Sequence, residues 1–113
     1  LYREYLGVEV PNDREGCLQD SHWSGGSFGY FPSYALGNAY GAQMLRRMEQ
    51  AFDVFGQAAK GDLSGVTGWL REHVHQYGQL LEPADVVRNA CGTLDPQVYL
   101  DYLTRKYTEL YAL

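Results

Sequence analysis

The chain has few cysteines, few basic residues and no long apolar run, and each shortage excludes a class of protein. Its two cysteines, Cys17 and Cys91, lie far apart without the spacing of a metal knuckle or a disulfide framework, which is typical of cytoplasmic thiols. Lysine and arginine number 9 against 14 acidic residues, so we expect no nucleic-acid partner. No segment approaches the roughly 20 apolar residues of a membrane span, so we expect no membrane partner.

Aromatic residues and glycines are abundant, and they concentrate between residues 16 and 38. This stretch contains Asp20, His22 and Trp23, followed by Tyr30 and Tyr34. The stretch is too irregular for a helix or a plain strand. A loop that loses so much conformational entropy when it is ordered usually has a function. If residues 19–23 are extended, alternation places Asp20 and His22 on one face and Gln19 and Trp23 on the other.

A carboxylate beside an imidazole affects the charge and the tautomer of the imidazole. The carboxylate of Asp20 would favour the charged form of His22 and select which ring nitrogen carries the proton. The aromatic residues would add rigid walls, with hydroxyl groups at Tyr30 and Tyr34. Two alternatives stay open at this point: a local brace between Asp20 and His22, and a small metal site that uses both with Cys17.

The rest of the chain has helical periodicity, which predicts an all-α fold. We expect the tail of a helix before Gly7, then a long helix and three shorter ones in a compact antiparallel cluster. The predicted helices cover residues 33–59, from 62 or 64 to 77, 84–91, and 95–111. Gly37 and Gly41 lie on one face of the long helix and predict the close approach of a neighbour. The predicted organisation is one domain, 1–113, with an active-site-type loop at 7–32 and a helical cluster at 33–113.

The stretch Gly16 to Trp23, Gly-Cys-Leu-Gln-Asp-Ser-His-Trp, resembles the Gly-x-x-Gln-Asp-x-His-Trp signature of the thermostable carboxypeptidase 1 family, the Taq-type metallocarboxypeptidases. The flanks are similar too, with Pro-Asn-Asp at 11–13 before the signature and Gly-Tyr-Phe-Pro-Ser-Tyr at 29–34 after it. The resemblance extends along essentially the whole chain.

That resemblance implies a segment of a longer, mainly helical enzyme that removes C-terminal residues from peptides. Such enzymes hold a divalent metal, zinc or cobalt, with a His-Glu-x-x-His helix that is absent from this sequence. The chain begins at Leu1 without a methionine, so we expect a C-terminal portion, without metal ligands and inactive alone. The implied partners are the remainder of the enzyme, a peptide substrate and a second copy in a homodimer, in the cytoplasm.

The resemblance also implies roles for individual residues. His22 and Tyr30 are the predicted catalytic residues, and Gln19, Asp20 and Tyr34 the predicted substrate-binding residues. Because Gln19 and Trp23 would lie on the opposite face, these two are also expected to anchor the loop to the helices. A different class of function is the alternative: a stand-alone helical interaction module whose aromatic loop binds a ligand.

Overall fold

The computed structural model describes residues 1–112, and within them it is all-α. Helices make up 71% of the described residues and none of these residues forms a strand, which confirms the predicted fold class. The chain divides into two compact units, Leu1–Ser33 and Tyr34–Leu113. The predicted domain boundaries stay a prediction. No helix among the described residues combines the length and apolar character needed to cross a bilayer.

The first unit consists of short helical turns. A π-helical turn spans Tyr2–Leu6 and ends at Gly7, whose φ of 66° is left-handed. Two 3₁₀ turns follow at Asp13–Glu15 and Cys17–Gln19, and α1 spans Ser21–Ser24.

The extended arrangement considered for residues 19–23 therefore does not form. Only Asp20 is extended, at φ −89° and ψ 123°, and it is the N-cap of α1. Its carboxylate accepts a hydrogen bond from the backbone N–H of His22, which starts a helical turn.

The second unit contains most of α2 and four further helices. Their bounds are Pro32–Ala51 for α2, Val54–Ala59 for α3, Ser64–His73 for α4, Pro83–Cys91 for α5 and Pro96–Tyr111 for α6. The single helix predicted over 33–59 is wrong, because the chain breaks at Phe52 and Asp53. Asp53 accepts a 2.9 Å hydrogen bond from the N–H of Gly56 and caps a new helix.

The predicted helix from 62 or 64 to 77 also ends early. At Val74 the backbone turns to φ −131°, and a separate 3₁₀ turn, His75–Tyr77, completes the segment. The last two helices agree with prediction: Pro83 and Pro96 lie in first turns, Gly92 follows α5, and Asp95 caps α6.

The core of the second unit is small. Its buried apolar side chains are Ala39, Ala42, Met48, Val54, Val86, Ala90, Cys91 and Val98. One ion pair links α2 with α6, from Glu49 to Arg105 at 3.2 Å. The close approach predicted at Gly37 and Gly41 is not seen, since a Cβ at either would meet no described atom within 4 Å.

Candidate functional site

The candidate site is centred on α1, which brings Asp20 and His22 together. Oδ1 of Asp20 lies 2.6 Å from Nδ1 of the His22 ring and 3.2 Å from its backbone N–H. Capping geometry thus produces the pairing that the sequence predicted, through a helical turn rather than a strand. The two side chains remain partly open, with 29% of His22 and 25% of Asp20 exposed.

Two aromatic rings contact the imidazole of His22. Tyr30 is stacked on it, with ring centroids 5.5 Å apart and an angle of 22° between the planes. Phe31 meets it edge-on at 4.9 Å. At the backbone, the N–H of Ser27 donates to the carbonyl of His22 at 2.8 Å, which closes the glycine-rich turn after α1. The imidazole is therefore restricted by rings, by backbone and by a carboxylate.

Asp20 is held in its charged form. The hydrogen bond from the His22 side chain is the main cause that lowers the pKa of Asp20 below its ordinary value of 3.8. Desolvation opposes this effect, and the backbone N–H groups of His22 and Trp23 add to it. At neutral pH Asp20 is therefore a carboxylate that accepts hydrogen bonds and donates none.

A pocket of about 330 Å³ opens beside this pair, within the first unit. Its lining is Trp23, Ser27, Gly29, Phe31 and Pro32. Phe31 both lines the pocket and contacts His22, so the pocket and the polar pair are neighbours. The rim of aromatic residues predicted from the sequence is thus present around His22.

The other predicted site residues have different surroundings. The carboxamide of Gln19 donates to the carbonyl of Arg14 at 2.6 Å, which braces the two 3₁₀ turns. Tyr34 lies in α2, half exposed, and belongs to the second unit. Trp23, expected to anchor the loop, is 58% exposed and contacts Phe28 edge-on at 5.6 Å.

The possible metal site at Cys17, Asp20 and His22 does not form. Sγ of Cys17 is directed at the carbonyl of Asp13, at 4.0 Å, while Asp20 bonds to His22. Within residues 1–112, no three His, Cys, Asp or Glu side chains come close enough together to hold a metal ion.

Phe31 has a contact with His22 that the sequence did not predict. It was predicted only as part of a general aromatic rim, and its edge contact with His22 depends on the turn at residues 24–29. The capping role of Asp20 had a local signal, an aspartate directly before a serine and a short polar-aromatic run.

A comparison with protein families identifies one that matches nearly the whole chain. The model of the carboxypeptidase Taq (M32) metallopeptidase family matches residues 1–107. Carboxypeptidase 1 of Bacillus subtilis is 43% identical over 99% of the chain, and thermostable carboxypeptidase 1 of Thermus thermophilus is 37% identical over 98%. The chain spans 23% and 22% of the lengths of these two relatives.

Solved structures agree with the sequence comparison. The M32 carboxypeptidase from Deinococcus radiodurans superposes with a TM-score of 0.86 at 37% identity, over 99% of this chain and 23% of that one. The predicted resemblance is confirmed, including the expectation that the chain corresponds to only a part of such an enzyme. The chain belongs to the carboxypeptidase Taq (M32) metallopeptidase family.

Proposed function

We propose that this chain forms part of the substrate groove of a metal-dependent carboxypeptidase that removes the C-terminal residue from peptides. Family membership supports the reaction class, and the named relatives are carboxypeptidases. The observation that carries the groove assignment is the imidazole of His22, bonded to Asp20 and stacked on Tyr30 within the signature segment.

His22 and Tyr30 are the proposed catalytic residues. Peptide hydrolysis places negative charge on the carbonyl oxygen in the transition state, and a fixed hydrogen-bond donor is most useful there. The Tyr30 hydroxyl donates, and His22 donates from Nε2 when it is protonated. One such donor lowers the activation free energy by on the order of 3 kcal/mol, which raises kcat about a hundredfold.

The divalent metal of this metallopeptidase family, zinc or cobalt in our proposal, would be held outside the described residues. No ligand cluster forms within residues 1–112, and the sequence lacks His-Glu-x-x-His. We accordingly propose that the chain by itself is inactive and that the remainder of the enzyme is its partner.

Gln19, Asp20 and Tyr34 stay predicted substrate-binding residues. Gln19 and Asp20 both bond inside the loop, which favours indirect roles for these two. Exposed aromatic residues such as Tyr5 and Phe28 support the proposed self-association into a homodimer. Free thiols at Cys17 and Cys91 support the proposed cytoplasmic location.

The test uses the enzyme completed to the length of its relatives, loaded with zinc or cobalt, and a blocked dipeptide as substrate. The variants are His22→Ala and Tyr30→Phe, with Tyr111→Phe as the matched control on α6. We expect either site variant to lower kcat about a hundredfold, with unchanged thermal unfolding, while the control keeps normal activity. The 113-residue chain alone should release no amino acid.

Two outcomes would contradict the proposal separately. Normal kcat in both site variants would show that the loop is scaffold, although the family assignment would stand. Cleavage by the isolated chain would overturn the proposal that the metal ligands lie elsewhere.

A further inference from the structure

We propose that a helix from the remainder of the enzyme, which the proposed function makes the partner of this chain, docks in a groove between α2 and α6. This groove is the surface that the partner covers. The proposal rests on that partnership and not on the catalytic roles proposed for individual residues.

The groove lies within the second unit and encloses about 360 Å³. Residues spaced four apart line it on both helices, and the principal ones are Gly37, Gly41 and Leu45 from α2 and Tyr99, Leu103 and Tyr107 from α6. Positions four apart lie on the same face of a helix, so each helix has one face towards the groove. A further helix is the element that fits between two such faces.

The two glycines leave the α2 side of the groove open. Gly37 and Gly41 are exposed, and a Cβ atom at either position would meet no described atom within 4 Å. Glycine is a poor helix former, so two of them on one face of α2 disfavour the helix. They also allow the backbone of another helix to approach closely, which longer side chains would prevent. The neighbour that this spacing predicts is not found within residues 1–112, so we place it in the remainder of the enzyme.

The α6 side of the groove is apolar and only partly covered. Tyr99 and Leu103 are half-buried, and 41% of Tyr107 is exposed. The apolar surface continues along α6 to a second cavity of about 710 Å³, where Phe55 and Leu110 are more than half exposed. Contiguous exposed apolar surface of this kind is typical of a face that another element covers.

The comparison with solved structures indicates what covers this face. The chain superposes on the Deinococcus radiodurans enzyme over 99% of its own length but only 23% of that enzyme, so more than three quarters of such a polypeptide lies outside the corresponding part. A segment of the same polypeptide has a far higher effective concentration at the groove than a separate molecule has. The remainder of the enzyme is therefore the occupant, ahead of a second copy of the chain or a peptide substrate.

Lys106 predicts a charged residue on the docking helix. It lines the groove, and its ammonium lies 5.7 Å from the ring centres of both Tyr102 and Tyr107. None of the carboxylates in residues 1–112 forms an ion pair with it. Covering the groove would remove water from this ammonium, which is unfavourable unless an opposite charge lies nearby. The docking helix should therefore carry small or apolar side chains against the glycines and an aspartate or glutamate opposite Lys106.

Thiol labelling of the enzyme completed to the length of its relatives tests whether the groove is covered. The variants are Gly41→Cys and, as the matched control outside the groove, Gly68→Cys on α4, where a Cβ would likewise meet no described atom within 4 Å. With an uncharged maleimide, Gly41→Cys should react at least about a hundredfold more slowly in the folded enzyme than in urea, and Gly68→Cys within about tenfold of its rate in urea. Peptide mass spectrometry separates these sites from the thiols of Cys17 and Cys91.

Zero-length cross-linking of the wild-type completed enzyme identifies the occupant. A carbodiimide joins an amine to a carboxylate only when the two groups are in contact. Lys106 should therefore be coupled to an aspartate or glutamate of the remainder, and the product should be a single polypeptide. Lys106→Arg keeps the charge but removes the coupling amine, so it should lack this product.

A change of stability gives a third, independent readout. Gly41→Leu should lower the thermal unfolding temperature of the completed enzyme by roughly 2–5 °C, because the leucine takes space that the docking helix needs. Gly68→Leu, the matched control, should leave the unfolding temperature unchanged or raise it, because leucine is the better helix former.

Three results would overturn the inference. Fast labelling of Gly41→Cys in the folded enzyme would show that the groove is open. Protection that disappears on dilution, with Lys106 coupled to a second polypeptide, would assign the groove to a homodimer. Protection that appears only with the blocked dipeptide would assign it to the substrate. None of these readouts is an activity, so normal kcat in His22→Ala would refute the catalytic role of His22 and leave the groove assignment unaffected.

Discussion

At the scale of single residues, aspartates before helices organise this chain. Asp20, Asp53, Asp62 and Asp95 each accept a hydrogen bond from a backbone N–H two or three residues later. Such hydrogen bonds are local, and the sequence predicted the cap at Asp95, whereas it left the start of α4 open between Asp62 and Ser64 and the structure has Leu63 as the N-cap. They also explain two differences from expectation. Asp20 caps a short helix in a stretch considered as extended, and Asp53 caps another inside the predicted long helix.

The hydrogen bonds that Asp62 accepts from Ser64 give a pH-dependent stability. Hydrogen bonds from the side chain and backbone N–H of Ser64 lower the pKa of Asp62 below its ordinary value of 3.8. A lowered folded-state pKa means that the stabilisation is complete above about 3.8 and is lost as the pH falls through the folded value. Asp62→Asn keeps an accepting oxygen without the charge. We therefore expect this variant to be less stable than wild type at pH 7 and equally stable at the acid end of the transition.

Urea unfolding followed by circular dichroism, at pH 7 and in steps below pH 4, measures this difference. Glu109→Gln, which removes an exposed charge near the end of α6, is the control for a change of net charge. A gap between wild type and Asp62→Asn that stays the same at every pH would refute the linkage.

At the scale of helices, the contacts that the sequence could not predict are those between distant segments. Gln43 is an example: it lies on α2 with 5% of its surface exposed. Its carboxamide donates to the carbonyl of Thr93 at 3.0 Å and accepts from the N–H of Asp95 at 2.8 Å, so it ties α2 to the connection between α5 and α6. Helical periodicity shows that a glutamine falls on the inner face, but not which carbonyl, 50 residues away, it will meet.

Two glycines of α4 give a matched test of packing between α3 and α4. A Cβ at Gly65 would lie 2.5 Å from Oε1 of Gln57 and 2.9 Å from the ring of Phe52, whereas at Gly68 it would meet no described atom within 4 Å. Alanine is better than glycine in a helix by about 1 kcal/mol. We expect Gly68→Ala to raise the free energy of unfolding by up to about that amount. Gly65→Ala should lower it, because the ring of Phe52 has to move.

Chemical denaturation of both variants and of wild type measures these changes in the free energy of unfolding. The test is whether the free energy of unfolding is higher in Gly68→Ala than in Gly65→Ala. If Gly65→Ala is as stabilising as Gly68→Ala, the contact of α4 with Phe52 and Gln57 is not as tight as the structure has it.

At the scale of the whole molecule, the sequence predicted the class and family better than the arrangement. The all-α class follows from periodicity, and the family follows from the signature at residues 16–23 together with its matching flanks. The site was predicted in part: Asp20 and His22 were paired correctly, while the contact of Phe31 depends on a turn whose shape no local pattern specifies. Pairing over two residues is a local property, and ring packing across a glycine-rich turn is not.

The division into two units leads to the last prediction, which concerns local stability. The helical turns of Leu1–Ser33 have only three to five residues. Among its described residues Gly16 alone is buried, and large side chains such as Trp23 and Phe28 are exposed. Segments with so little buried apolar surface open with small free energies. In hydrogen exchange of the isolated chain, amides of residues 1–33 should therefore be at least about tenfold less protected than those in the middle of α2, α5 and α6.

In the completed enzyme, protection around His22 should rise if the remainder of the enzyme covers this unit, with α6 as the internal reference. Equal protection of both units in the isolated chain would show that the first unit is stable by itself, and no rise in the completed enzyme would argue against the proposed partner.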